Sequence, residues 1–504
     1  MFEHSLESNK SHKLLAIAGV ALVLGIVFDM FFYQKLPGIS FPIFVLLILG
    51  GLAVLARIHN IRIPVATWLM AAAALFFSTM VFVRASGTLN VLNILATVLL
   101  MVMVAVSVVG KSLTRYLLTD YVRLAIVPLK FLRTALATVA EMITLRTNAK
   151  KGGTTSQIVK GIILTLPILV LFLVLFSSAD LVFAKYLTNI VDININIETV
   201  DRVFWVFTVA FVFIGAYAFA LRRHDNHAQD QAWEPARVLG KMESSILLGS
   251  VNVLFLLFVL IQLTYLFGGE ANITGQGFTY AEYARKGFFE LVVVAAASFL
   301  LLLATEKYVV KKESRHMGAF KFLSGALALQ VFIIIVSAFK RLVLYEQAYG
   351  FTTLRFFSHA FTIWLGIVFL LLLYKIFVNN SEQKFLLYGF ISGLVVFAVI
   401  NLANPDAFIA RQNMERYKTT GKLDAYYLST LSEDAIDQQI AALKINDIGL
   451  RSVVGHSLYW SYVSERESSW FRAWPATNLS RHRGMRVLQS HLDEITAYKD
   501  YQGN

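Results

Sequence analysis

The sequence predicts an all-α fold: a polytopic helical membrane bundle of about eleven transmembrane helices with a small helical C-terminal tail domain. Three observations predict it. Hydrophobic residues make up 57% of the 504 residues and charged residues only 15%, whereas a soluble domain is about 25% charged. The apolar residues gather into eleven runs on the scale of a helix that crosses roughly 30 Å of hydrocarbon. Lys and Arg are distributed unevenly between alternate gaps, as the positive-inside rule requires.

Taken in order, Met1–Lys13 is polar and Leu14–Phe32 is the first run. No small-residue cleavage site follows it, and FFYQKLPG reads as a membrane interface, so the run is a retained anchor and not a signal peptide. The next runs are Phe41–Ala56, Ile63–Val83, Leu89–Val109, Gly161–Phe176, Val203–Leu221 and Ser245–Phe267. Phe288–Ala304, Phe322–Ala338, Phe361–Phe377 and Phe385–Ile400 complete the set. Phe41–Ala56 is the weakest, being short and carrying Pro42 and the pair Gly50–Gly51, which also admits a re-entrant segment. Pro167 removes a backbone hydrogen bond inside the fifth run and predicts a kink there.

With the N-terminus inside, the inner segments hold 24 Lys and Arg, the outer loops 9 and the tail 12. This bias predicts a cell-membrane protein with a cytoplasmic N-terminus, and eleven spans then put the tail outside the cytoplasm. The net charge of +13 assigns the basic inner face to anionic headgroups of the lipid bilayer and not to nucleic acid.

Four regions follow. Residues 1–110 are an N-terminal four-span region. Residues 111–157 are basic amphipathic interfacial helices: Arg115, Arg123, Lys130 and Arg133 fall within about a quarter turn, and Pro128 divides the segment into two helices expected to lie on the inner surface. Residues 158–403 form a seven-span core. Residues 404–504 are a helical extracytoplasmic tail. There LDAYYLSTLSEDAIDQQIAALK reads as two short helices, the second starting at Ser432, and a last helix starts near Ser480.

Several chemistries find no support. The absence of Cys excludes disulfides, thiolate metal sites and Cys nucleophiles. There is no phosphate loop, no HExxH and no GxSxG. No run carries a charged residue near its middle, which argues against a charged proton relay. His224 and His227 lie in an inner loop without further strong ligands. No catalytic residue, metal site or cofactor is therefore assigned. Asn93, Asn252, Gln262 and Gln330 lie within runs and are read as helix-to-helix hydrogen bonds.

The unusual polar residues instead gather at one level, the outer leaflet. Ser337–Trp364 is the central stretch. There Arg341, Tyr345 and Tyr349 share one helical face, Gly350 offers a stop, and Arg355 precedes the next apolar run. Asp180, then Tyr280, Glu282, Tyr283 and Arg285, and finally Asn404, Asp406 and Arg411 belong to the same level. Charges there are costly unless paired, so Arg341 or Arg355 is expected to meet Asp180, Glu290 or Asp406. Together these residues form a candidate outer polar cluster for a ligand or partner.

The same stretches carry a resemblance. SSAD (Ser177–Asp180), YLFGG (Tyr265–Gly269), TYAEYARKGFFEL (Thr279–Leu291), RLVLYEQAYGFTTLR (Arg341–Arg355) and NPDAFIARQNMER (Asn404–Arg416) resemble motifs of bacterial multi-pass membrane proteins catalogued as a domain of unknown function (4153 and 4173). The resemblance covers roughly Val159 to Arg486. It implies a bacterial inner-membrane location and a helical tail, and it implies no reaction.

Three functional readings remain open on the residues. The first is a non-enzymatic sensor or scaffold that uses the outer polar cluster and binds a membrane or extracytoplasmic protein. The second is a transporter or channel for a small solute. The third is a membrane-embedded enzyme acting on lipid or glycan, which the residues support least.

Overall fold

The computed structural model describes residues 2–108, 113–146, 176, 180, 197–222, 240–267, 288–309, 314–379 and 381–501. These residues are overwhelmingly α-helical, and the fold is an all-α polytopic bundle. Ten helices are long and apolar enough to cross a membrane, and each falls on one of the eleven expected runs. The remaining run, Gly161–Phe176 with Pro167, lies outside the described residues apart from Phe176. The spans expose apolar side chains on their outer faces, among them Val253, Leu254 and Leu257, as helices surrounded by lipid do.

The helices fall into two compact units, Met1–His227 with Val463–Arg483, and Ala228–Tyr462 with Gly484–Asn504. The first unit contains α1 (Phe2–Phe32), α2 (Ser40–Ile58), α3 (Val65–Val83), α4 (Gly87–Ser107), α5 (Leu118–Leu124), α6 (Val127–Arg146) and α7 (Ile197–Leu221). Helix α2 is continuous through Gly50 and Gly51. Gly51 makes room for Tyr217 of α7, whose hydroxyl donates to the Ile48 carbonyl at 2.8 Å.

Helices α1 and α7 are antiparallel and are fastened at both ends. At one end Arg202 donates to Asp29, with Nη2 to Oδ2 at 2.6 Å, and Tyr33 donates to Asp201 at 3.0 Å. At the other end Glu141 of α6 meets Lys10 at 2.6 Å and Arg222 at 3.0 Å. The connection between α6 and α7 therefore begins and ends at opposite ends of α1.

Pro128 stands in the first turn of α6, where its missing N–H costs nothing, and it separates α5 from α6. Tyr116 and Tyr121 pack edge to face beside α5 with ring centroids 5.5 Å apart. The Tyr121 hydroxyl is pushed up to about 12 by burial and then by the charge of Asp120. Tyr116 is pushed up by burial, Asp120 and Tyr121.

A late segment of the chain completes the first unit. Asn478 donates to the carbonyls of Val81 at 2.9 Å and Arg84 at 2.8 Å, at the end of α3. Ile39 donates its N–H to the Thr477 carbonyl at 2.8 Å, and Trp474 meets Phe31 edge-on at 5.4 Å. This segment thus covers the end of the unit where α1 and α3 finish, the end opposite Lys10.

The second unit contains α8 (Lys241–Phe267), α9 (Phe288–Tyr308), α10 (Ser314–Tyr349), α11 (Thr353–Phe377) and α12 (Glu382–Ala403). After them in the chain come α13 (Pro405–Thr420), α14 (Ala425–Ser429), α15 (Ile436–Ala442) and most of α16 (Ile448–Glu467); α17 (Ser469–Arg472) and the start of α18 (Leu479–Ser490) belong to the first unit, and the rest of α18 with α19 (Leu492–Thr496) to the second. Its core is formed by Leu248, Leu302, Leu327, Val331, Phe369 and Leu372. A second cluster around Val259, Leu291, Ile334 and Leu342 continues it toward the end of α10. Ser432 caps the 3-10 turn Glu433–Ala435 that leads into α15, as its position before two acids predicts.

Candidate functional site

The most polar part of the second unit is the turn between α10 and α11. Helix α10 is 36 residues long and ends because Gly350 adopts the left-handed conformation at φ +86°, which costs a side-chain-bearing residue about 1 kcal/mol or more. The Gly350 N–H closes the last turn on the Glu346 carbonyl at 2.7 Å. The next carbonyls lack helical partners, and α13 supplies them. Arg416 donates from Nε to Gln347 O at 2.9 Å and from Nη2 to Ala348 O at 2.6 Å. A cation at a helix C-terminus also meets the negative end of the helix dipole.

Asn413 grips the next residue on both sides. Its Oδ1 accepts from Phe351 N at 2.7 Å, and its Nδ2 donates to Phe351 O at 2.9 Å. A Cβ on Gly350 would stand 2.8 Å from that same Oδ1. The Tyr427 hydroxyl of α14 accepts from Thr353 N at 2.7 Å, and Thr352 caps α11 by accepting from Arg355 N. The Arg355 side chain turns back to donate to the Gly350 carbonyl, and its guanidinium lies 4.0 Å over the Tyr345 ring. Tyr345 in turn meets Tyr349 at 5.1 Å.

The start of α13 is fixed in the same way. Asn404 takes a left-handed φ of 53° between α12 and α13, and Pro405 opens the helix. Buried Asp406 accepts from Ser432 N at 3.2 Å and Ser432 Oγ at 2.6 Å, tying α13 to the turn before α15. Asn413 and Arg416 of NPDAFIARQNMER thus bind the backbone of RLVLYEQAYGFTTLR.

The structure sorts the predicted cluster residues. Arg341, Tyr345, Tyr349, Arg355, Asn404, Asp406 and Arg411 all lie in the second unit, along α10, the turn and α13. Arg341 donates from Nη2 to Gln262 Oε1 at 3.2 Å, and Ser337 donates to the same oxygen at 2.9 Å, so Gln262 links α8 to α10. Arg411 is exposed, with its guanidinium 5.8 Å from the Phe408 ring. Asp180 is exposed and belongs to the first unit. Tyr280, Glu282, Tyr283 and Arg285 lie outside the described residues, as do His224 and His227.

The expected pairing of Arg355 with an acid does not occur among the described residues; a carbonyl and an aromatic face take its place. That exchange avoids burying two charges, whose desolvation a single contact rarely offsets. The expected helix-to-helix role of Asn252 holds, since it donates to Leu323 O of α10 at 3.0 Å.

Two pairs built on buried carboxylates were not anticipated. Glu346, only 2% exposed, meets His359 Nε2 at 2.8 Å, and Phe339 stands edge-on to the imidazole at 4.5 Å. Nearer the opposite ends of their helices, Lys375 of α11 donates to Glu306 of α9 and lies 5.8 Å from the Phe385 ring. The available signal was the cost of a lone charge in an apolar helix, which calls for a partner without naming it. Among the described residues no group of three or more His, Asp or Glu is placed to hold a metal ion.

A family model described as Domain of unknown function (DUF4153) matches residues 71–442, well over half of the chain. No curated protein and no solved structure matches it.

Proposed function

This chain belongs to the DUF4153 family and is a multi-pass membrane protein, and from that premise we propose that it is a non-enzymatic sensor or scaffold. Its platform is the α10–α11 turn with α13–α15, and the surface that meets a partner is the exposed edge formed by Tyr349 and Arg411. One observation carries this reading. Asn413, Arg416, Tyr427 and Asp406 are spent on fixing backbone, an arrangement suited to holding a surface in place more than to acid or base chemistry.

We place this platform outside the cytoplasm, in a cell membrane, with the N-terminus inside and eleven crossings. The charge asymmetry supports that orientation. For the segment around Asn478, the ends of α1 support an outer position: the segment docks at one and Lys10 lies at the other.

Because the chain has no Cys, single cysteines test the reading cleanly. A photo-crosslinker at Tyr349→Cys or Arg411→Cys in native membranes is expected to give a discrete adduct that Asn413→Ala weakens. Val395→Cys, exposed on α12, serves as the control and is expected to give none. The same adducts at all three positions would defeat the proposal. Reporter fusions after Glu467 test the sidedness, and an inside signal would overturn it.

A second reading, a path for a small solute, has one observation in its favour. Asn252 Oδ1, Ser324 Oγ and Gln330 Oε1 are buried on α8 and α10 without hydrogen-bond partners among the described residues. Solute flux in proteoliposomes above that of empty vesicles would favour it over the scaffold.

A further inference from the structure

We propose that α6 carries a binding site for an anionic phospholipid, with Lys130 and Arg133 holding the phosphate and Leu129, Leu132 and Leu136 lying along the acyl chains. The inference rests on the chain being a membrane protein and stands apart from the scaffold reading. It sharpens the expectation that the basic segment meets anionic lipid, because the structure gives that segment a depth and separate faces.

The depth comes from the packing of α6 on α7. Val127, Phe131, Ala135 and Thr138 form one buried stripe at helical spacing. Phe131 lies against Phe219, with ring centroids 5.3 Å apart. At Gly215 the two helices touch backbone to backbone: a Cβ there would stand 2.0 Å from the Phe131 carbonyl oxygen. Further along, Arg222 donates to Thr138 at 3.1 Å and to Glu141 at 3.0 Å. Thus α6 runs beside the last two turns of α7 in the same direction, and its first half lies level with a helix that crosses the membrane. In this proposal it stands beside that helix and not flat on the surface, where the basic amphipathic pattern alone puts it; close packing at a small residue draws it in.

The remaining faces meet lipid. Leu129 is 64% exposed, Leu132 42% and Leu136 46%, and their spacing sets them in one stripe away from the buried one. Exposed Lys130 and Arg133 sit one turn apart between the two stripes. Neither forms an ion pair among the described residues, and the nearby acid, Glu141, is occupied by Lys10 and Arg222. Two cations roughly one to two turns below the level of Arg222, beside a leucine stripe, complement a lipid that brings a phosphate and two chains together. Their long side chains reach toward the interface while their stems stay apolar.

The test uses the purified full chain in detergent with added phosphatidylglycerol or phosphatidylcholine, with bound lipid counted by native mass spectrometry. The wild-type chain is expected to retain phosphatidylglycerol preferentially. Lys130→Gln or Arg133→Gln should each weaken retention about fivefold, and the double variant about 25-fold. Lys418→Gln, which removes an exposed cation of α13, controls for net charge and should change nothing. Leu132→Ser should weaken retention without altering net charge. All four positions are exposed, so folding is not at stake, and thermal melting confirms it. Unchanged retention in the double variant overturns the proposal. So does an equal loss in Lys418→Gln, and so does displacement of the lipid by inorganic phosphate at matched concentration.

Discussion

Replacing Asn413 with Ala removes the grip on Phe351 while leaving every apolar contact of α13 close to intact. Asn413 is 8% exposed, so no water is at hand to replace its amide. Two hydrogen bonds disappear, at 2.7 and 2.9 Å, each worth about 1 kcal/mol net, and an abandoned buried group costs about 1–3 kcal/mol. The expected cost of closing the turn is therefore roughly 2–4 kcal/mol. At 1.4 kcal/mol per factor of ten, local opening becomes roughly 30- to 700-fold more frequent. A cysteine at Ala348, read by maleimide labelling in the opening-limited regime, reports that frequency directly. Asn413→Asp keeps the acceptor for Phe351 N and loses the donor to Phe351 O, so it should fall between wild type and Asn413→Ala. Equal labelling rates in all three proteins would refute the idea that Asn413 holds the turn.

Gly350→Ala should lower thermal stability by about 1–3 kcal/mol, since it adds the left-handed backbone penalty to a crowded Asn413 oxygen. Glu346→Leu leaves the half-buried His359 ring nitrogen without its partner and should cost about 1 kcal/mol. Adding His359→Phe should recover part of that loss, and additive costs in the double-mutant cycle would argue against coupling. The raised hydroxyls of Tyr116 and Tyr121 make an alkaline prediction. Both hold their proton more tightly folded than unfolded, so their contribution to stability is complete below pH 10 and falls as pH rises toward about 12. Labelling of Leu124→Cys should rise across that window in wild type and less in Tyr121→Phe.

The spans were legible because a helix in lipid must satisfy its backbone internally and present apolar side chains all round, a constraint written continuously in the sequence. The stop at Gly350 was legible for an equally local reason. The continuity of α2 was not, because what packs against Gly51 is Tyr217, 169 residues from Ile48. Arg416 carries a similar lesson. It closes the motif NPDAFIARQNMER, yet two of its hydrogen bonds go to carbonyls freed where a helix ends, one of them 68 residues earlier. Glu346 and His359 are 13 residues apart, and only the tightness of the turn between α10 and α11 brings them together. Periodicity can report which face a residue occupies, but not which distant backbone atom it will find.

Asn478 lies 394 residues beyond Arg84, whose carbonyl it takes. At about 5–20 residues per second, a ribosome needs roughly 20 to 80 s to make that stretch. Throughout that interval the carbonyls of Val81 and Arg84 lack the Asn478 amide, while Arg84 keeps the donation from Asn90 at 2.9 Å. The first unit to be inserted is thus among the last to be finished. Translation that stops before Asn478 leaves the N-terminal bundle without its closing segment.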